Sequence, residues 1–399
     1  MGVVSTIGAE RPGVSEEELR YLALHAALIA ADALTDEALP SEHRLEALTR
    51  AYGMVMALRG PGHPLDFGEF RRRVRGPVSA LLPPGVDDAG LGAVLAIDSA
   101  TGERNVDLEA LDGEFGVVAR LKSDLPHWTW LRDELSENHA YVLFRRGENQ
   151  KAYENRRRFV ISRPAGTRVE LRAMPRELDE LYHPVPGHRR YDRWCFLCPV
   201  CQWPMRIQRR GPVIKVACDD PGHRERGANY RSRTDDDVAD AAPPLIPTGP
   251  AAAVTAAGRL LAPPAGQVVA HEADRVSMVQ QPSWRSHVIP GLLELALADE
   301  LRSRGAQVQL WPRMDSYDLH ITAPTGRSWK VDVKDVISVD ALIRRSRGSD
   351  GSGLTMVVPD RLSSQVPLLE RALKPDGWKV RTATRLARDV CRAAGRSWP

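Results

Sequence analysis

Asp318, Asp332 and Lys334 are the residues of this 399-residue chain whose types and spacing most invite chemistry. They lie in the stretch YDLHITAPTGRSWKVDVKDV. Asp332 and Lys334 alternate with Val331 and Val333, so on a strand the two charged side chains share one face and the valines the other. An Asp and a Lys bracketed by valine on a buried strand are costly unless they are used. Lysine is also scarce, at seven residues against 48 arginines. The arginine excess fits GC-rich coding, which leaves the Lys at 334 unexplained by composition. Asp318 stands fourteen positions before Asp332, a distance that suits the adjacent antiparallel strand of a hairpin turning at Pro324-Thr325-Gly326. Two carboxylates brought together in this way make an oxygen site for a hard cation, Mg²⁺ or Mn²⁺. A neighbouring lysine can hold or help deprotonate an attacking water, while the metal neutralises charge growing on a phosphoryl oxygen.

A second constellation is WCFLCPVCQWPMRIQRRGPVIKVACDDPGH. Cys198 and Cys201 form a C-x2-C pair, and Cys218 and His223 follow as a second half-site. Zinc takes four tetrahedral thiolate or imidazole ligands with this kind of spacing. Cys195 with Cys198 is an equally spaced pair. The Pro-containing knuckle favours Cys198 and Cys201, because the segment resembles zinc ribbons in this respect. The alternative ligand choice stays open. No open coordination position is evident, so the expected zinc is structural. Four buried, unliganded cysteines are the plain alternative, and Cys391 reads as a helix core residue.

The elements that must position these groups follow from periodicity. From Ser283 onward the chain reads as a helix over 292–304, strands at 307–311, 317–323 and 329–337, and a helix over 339–347. A loop at 348–353, a strand at 354–358, a helix over 363–373, the strand WKVRTA and a C-terminal helix complete it. This αβββαβαβα order in about 115 residues is a compact α/β domain. Residues 15–75 read as three helices. Ser15 and Glu18 form a capping box for the first. The second buries Leu45, Leu48, Tyr52 and Val55, and the third runs from Asp66 to Pro77. GVVARLKSD reads as a strand and WTWLRDELSE as a helix. YVLFRR and RFVISR read as two further strands. The expected layout is a mostly helical region at 1–140, a basic zinc-ribbon-containing region at 141–234, an Ala/Pro-rich linker at 235–282 and the α/β domain at 283–399, a multidomain α/β chain.

Charge points the same way. The net charge is only +3, but residues 141–233 hold 21 basic against 10 acidic side chains. A basic centre between acidic flanks suits contact with phosphates, as does an ordinary solvated arginine surface. Arg206, Arg209 and Arg210 beside the knuckle, and Arg344, Arg345 and Arg347 at a helix end in the α/β domain, are the candidates for nucleic-acid contact. No apolar run approaches the ~20 residues of a membrane span. Five cysteines are too few for a disulfide framework. The expected location is the cytoplasm, with no membrane partner.

On Asp318 and Asp332-Val333-Lys334, residues 284–399 resemble the PD-(D/E)xK nucleases, the restriction-endonuclease-like fold. Glu294, followed by Leu301 and Gly305, fits a helix spacing of that family; Tyr317 before Asp318 departs at the variable first position. The resemblance implies that Asp318 and Asp332 ligate metal, that the Val333 carbonyl assists, that Lys334 addresses the water, and that Glu294 joins or supports the site. The CPVC…C…H ribbon together with the terminal D…DVK domain further resembles the restriction-endonuclease-like proteins associated with prokaryotic PIWI-RE defence systems. That resemblance implies a metal-dependent DNA endonuclease in antiphage or antiplasmid defence, beside an Argonaute/PIWI-like protein and a helicase. A homodimer is compatible with it. The competing reading is a catalytically inactive nucleic-acid-binding or scaffold subunit; a zinc-ribbon transcription factor leaves Asp318, Asp332 and Lys334 without a role.

Overall fold

The computed structural model describes residues 16–112, 139–233, 241–248 and 268–398, apart from short gaps at 37–38, 89, 100–101, 106–107, 109–110, 148 and 211. Ser15, GVVARLKSD and WTWLRDELSE lie outside the described residues. The chain forms two compact units, Met1–Thr35 with Leu39–His127, and Asp36–Ala38 with Trp128–Pro399.

In the first unit, α1 (Glu16–Thr35) packs along α2 (Ser41–Arg59), and the shorter α3 (Phe67–Arg73) follows. Small residues on α1, including Ala23, Ala27 and Ala30, are fully buried and let the helices approach. The Asp66 side chain caps α3 by accepting from Glu69 N–H at 2.8 Å. Leu48 and Val55 are buried as expected, but Leu45 is 60% exposed. The stripe expected on α2 therefore starts one turn later.

The second unit holds both constellations. Its upstream part corrects the expected strands YVLFRR and RFVISR, which are helical. One helix covers 139–145, and α4 runs Gln150–Ser162. Asn149 caps α4 by accepting from Ala152 N–H at 3.0 Å. Tyr153, Arg157, Val160 and Ile161 then form one buried stripe at helical spacing. Short strands β1 (Ala165–Thr167), β2 (Tyr182–Pro184) and β3 (Trp194–Phe196) follow. An antiparallel sheet of β4 (Arg206–Arg210), β5 (Val213–Ala217), β6 (Asn229–Arg233) and β7 (Ile246–Pro247) carries the second half of the cysteine cluster, with the one-turn helix α5 (Pro221–Glu225) between β5 and β6.

The stretch expected as a linker contributes structure on both sides of 249–267, which lie outside the described residues. Ile246 pairs with Arg231 of β6. Further on, β8 (Ala270–Glu272) pairs with β3, and β9 (Val276–Val279) is the centre of the β1-β9-β2 sheet. Apolar Val276, Met278 and Val279 are buried there, which the Ala/Pro-rich composition upstream had masked.

The C-terminal α/β segment follows the expected order of elements. A π-type turn at Trp284–Val288 leads into α6 (Ile289–Ser303). The sheet order is β10 (Gln307–Leu310), β11 (Leu319–Thr322), β12 (Ser328–Val333), β13 (Leu354–Val358) and β14 (Lys379–Thr382). The first three are antiparallel, and β12-β13-β14 are parallel, as the intervening helices α7 (Val339–Ser346) and α8 (Val366–Leu373) require. One sheet face buries Leu319, Ile321, Val331, Val333 and Val357 in a core shared with α6 and with α9 (Ala383–Ala393). The other face buries Met356, Val358 and Val380 with Leu342, Leu369 and Leu373 of α7 and α8. The result is a helix–sheet–helix sandwich.

Candidate active site and metal centre

Hydrogen bonding ties Asp318 to the backbone on both sides of Asp332. Asp318 N–H donates to Val331 O at 3.0 Å, and Asp318 Oδ2 accepts from Val333 N–H at 2.6 Å. Asp332 Oδ1 accepts from Lys334 Nζ at 2.9 Å, so these two side chains do share a face. The valine–charge alternation of β12 therefore does what the sequence implied: Val331 and Val333 are buried, while Asp332 and Lys334 stay half-buried.

Glu294 approaches from α6 and is 1% exposed. Both its oxygens lie 3.1 Å from Arg157 NH2, and Oε2 also accepts from the Trp311 indole N–H. Three donor contacts from Arg157 and Trp311 thus converge on the Glu294 carboxylate. The same Arg157 nitrogen is 3.5 Å from Asp318 Oδ1, and NH1 pairs with Asp315. Tyr141 OH donates to the other oxygen of Asp315.

Sequence reading missed Arg157 and Asp315. The available signal for Arg157 was an arginine inside an otherwise apolar helical stripe, which implies a buried carboxylate partner. Asp315 lies in a turn for which no sequence rule called. Trp311, Arg313, Met314 and Asp315 all have positive φ, from 46° to 80°. Non-glycine residues in this left-handed region cost roughly 1–2 kcal/mol each. Partners outside the turn hold it: Gln150 Nε2 donates to Trp311 O at 3.0 Å, Met314 N–H donates to Gln150 Oε1 at 2.8 Å, and Arg145 donates to Met314 O at 3.0 Å.

The electrostatics follow from this crowding. Burial, then the charges of Glu294 and Asp332, pushes the Asp318 carboxyl well above its usual range. Burial and Asp315 raise Glu294 despite Arg157. Burial works against the Lys334 ammonium, but Asp332 and then Asp318 outweigh it and raise its pKa. Lys334 therefore favours its protonated form in this arrangement. A buried carboxyl held above its usual range beside other carboxylates, as Asp318 is, is a donor that a divalent cation satisfies. The Asp318 and Asp332 oxygens thus fit such an ion.

The cysteine cluster is complete. Cys198, Cys201, Cys218 and His223 are all buried, with one ligand atom from each lying within 4.8 Å of the others. Cys201 Sγ is 3.8 Å from Cys218 Sγ, and Cys218 Sγ is 3.4 Å from His223 Nδ1. Zinc–sulfur bonds of about 2.3 Å imply tetrahedral edges of about 3.8 Å, so the donors fit zinc. Cys198 N–H to Trp203 O and Gln202 N–H to Cys198 O, both 2.8 Å, close the knuckle; Asp220 caps α5 and fixes His223. Burial raises the Cys198 and Cys218 thiols. Against the same burial, hydrogen bonds from Cys198 and Cys218 pull Cys201 well below the ordinary thiol range. Cys195 lies on β3 outside the cluster, and burial pushes its pKa up to about 12. Cys391 is buried in α9.

The arginine candidates separate. Arg206 turns inward to Asp219 at 3.0 Å, beside the cysteine cluster. Arg209 is exposed on β4, beside Arg210 at the strand's end. Arg344 and Arg345 are half-buried on α7, while Arg347 is exposed just past its end. A groove that the sequence did not reveal, lined by Val142, Leu143, Arg145, Arg146, Glu180, Arg313 and Met314 among others, opens against the 311–315 turn.

Residues 291–398 match the family described as "REase associating with pPIWI_RE". The match spans Glu294, Asp318, Asp332 and Lys334, and it excludes the cysteine cluster and Arg157. It supports relating this segment to restriction endonucleases associated with pPIWI_RE. Comparison with curated proteins and with solved structures returns no match.

Proposed function

We propose that this chain is a metal-dependent endonuclease of the PD-(D/E)xK type that hydrolyses DNA phosphodiester bonds. The observation that carries the reading is the juxtaposition of Asp318, Asp332 and Lys334 at the β11–β12 junction, inside the segment with the endonuclease match. Asp318 and Asp332, with the Val333 carbonyl, would hold Mg²⁺ or Mn²⁺. A divalent ion there supplies charge neutralisation at the phosphoryl oxygen and acidifies water. Lys334, protonated and 37% exposed, donates to the attacking water and to developing negative charge. Glu294 keeps the carboxylates in place through Arg157.

The Cys198, Cys201, Cys218 and His223 cluster holds a structural zinc in a ribbon-like knuckle, since four protein ligands leave no open position for chemistry. Arg361 pairs with Asp335, next to Lys334, and reaches Asp220 at 4.0 Å, so the knuckle abuts the end of the catalytic strand. Arg145, Arg146 and Arg313 offer a phosphate path to the site, with Arg209, Arg210, Arg344, Arg345 and Arg347 as further contacts. The family description pairs such endonucleases with pPIWI_RE, so an Argonaute-like protein is the proposed partner, and defence against invading DNA in the cytoplasm, with a helicase alongside, is the proposed setting.

Plasmid DNA incubated with the chain, with and without the pPIWI_RE partner, tests the reading. Nicking or linearisation that requires Mg²⁺ or Mn²⁺ and disappears in Asp332→Ala is the expected result. Cleavage that survives Asp332→Ala overturns it. The inactive-scaffold reading predicts DNA binding with no cleavage under either condition.

A further inference from the structure

We propose that Arg157 is a built-in cation of the nuclease centre, supplied from outside the endonuclease-like segment, and that by holding Glu294, Asp315 and Asp318 it leaves Asp318 and Asp332 to take a single divalent ion. The proposal rests on the nuclease reading above and assigns a positioning residue to it.

Arg157 is 3% exposed and is surrounded by acceptors. NH2 reaches both Glu294 oxygens at 3.1 Å and Asp318 Oδ1 at 3.5 Å. NH1 pairs with Asp315 and donates to Tyr153 OH at 3.2 Å, and the guanidinium lies over the Trp311 ring at 4.7 Å. A planar fork is the group that can satisfy three carboxylates at fixed angles; a lysine ammonium cannot.

Two independent features show that the fold is built around this insertion. A Cβ at Gly291, one turn before Glu294 on α6, would fall inside the Ile161 side chain of α4, one turn after Arg157. Glycine at 291 therefore sets the close helix approach that lets the guanidinium reach Glu294. The strained 311–315 turn, which carries Asp315 and leads to Asp318, is held by Gln150 of the same helix α4. The endonuclease-like segment thus takes both its charge balance and its turn geometry from residues upstream of it.

The charge count gives the consequence. Glu294, Asp315 and Asp318 pair with Arg157 and Asp332 with Lys334, and with all four carboxylates ionised the two negative charges left over from these pairs match one divalent ion. Two ions would need a further acidic ligand that the guanidinium now occupies.

The test is Mn²⁺ titration of the zinc-replete full chain, followed by electron paramagnetic resonance and calorimetry, with cleavage assayed in parallel. Wild type should bind one Mn²⁺ at a site lost in Asp332→Ala. Arg157→Gln removes a nearby positive charge and should tighten Mn²⁺ binding by roughly tenfold or more, while cleavage at saturating Mn²⁺ falls. Asp315→Asn removes a negative charge from the same cluster and should weaken Mn²⁺ binding by roughly tenfold. A merely structural role for Arg157 would weaken binding in both variants. Unchanged or weaker Mn²⁺ binding in a folded Arg157→Gln chain overturns the proposal, as do two Mn²⁺ ions in wild type. If Arg157→Gln does not fold, the wild-type stoichiometry decides: one Asp332-dependent Mn²⁺ supports the proposal and two overturn it. Absence of any Asp332-dependent Mn²⁺ site in wild type instead brings down the nuclease reading, and the proposal with it.

Discussion

Lys334 shows how much one residue's surroundings decide about its chemistry. Its ammonium is stabilised by Asp332 and Asp318, so it stays protonated through neutral pH. Replacing it with alanine should slow cleavage by ~10³, while DNA affinity, which draws on many arginines, stays nearly constant. Single-turnover rates and filter binding on the same preparation separate the two effects. Asp318 gives a pH signature with a definite sign. Its carboxyl pKa is raised, so it holds a proton at pH values where an ordinary Asp is already ionised, and a cation must displace that proton. Mn²⁺ affinity should therefore rise with pH from the ordinary carboxylate range upward and level off above the raised pKa. Calorimetry in buffers of differing ionisation enthalpy should detect proton release; release absent across this range would contradict the assigned direction. At the knuckle, Cys198→Ser should lose zinc and Cys195→Ser should retain it, as read by elemental analysis. The adjacency of Asp318 and Asp332, the face shared with Lys334 and the Cys198, Cys201, Cys218 and His223 cluster were legible in the sequence because strand alternation and half-site spacing are local rules. Arg157 and Asp315 were not, because their meaning depends on contacts 137 and 158 positions apart in the chain, to Glu294 and between each other.

At the scale of elements, α6 to α9 and β10 to β14 were readable from periodicity, since each buries one regular face. The helices over 139–145 and 150–162 were misread as strands. Their short apolar runs YVLF and FVIS sit among arginines, and periodicity over four residues does not separate a strand from a buried helix segment. The deciding features were the Asn149 cap and the stripe Tyr153, Arg157, Val160 and Ile161, in which the charged member hid the pattern. The left-handed 311–315 turn had no sequence signal at all, because glycine is absent from it and tertiary hydrogen bonds impose it. Gly291 is where α4 and α6 can be tested together. Gly291→Ala places a methyl against Ile161 and should destabilise the unit by roughly 1–3 kcal/mol in chemical denaturation. An unchanged midpoint would mean that the two helices do not meet as described.

At the scale of the whole molecule, a net charge of +3 conceals a basic middle whose arginines divide into structural and exposed sets. Arg189 and Arg206 are spent on Asp219 beside the cysteine cluster, whereas Arg145, Arg146 and Arg313 line the groove against the 311–315 turn. Charge reversal at Arg146 and Arg313 should weaken DNA binding across unrelated sequences and flatten its salt dependence, because each lost phosphate contact removes counterion release. Reversal at Arg206 should instead cost stability. Among the described residues no helix is long and apolar enough to cross a membrane. The most direct test of the proposed nuclease centre is the Mn²⁺-dependent cleavage rate of end-labelled DNA by wild type, Asp332→Ala and Lys334→Ala, each folded and zinc-replete, with the proposed pPIWI_RE partner present. Cleavage by wild type, with losses of ~10³ or more in both variants, is the expected result. Equal rates in all three would show that Asp318, Asp332 and Lys334 do not form the site of the chemistry.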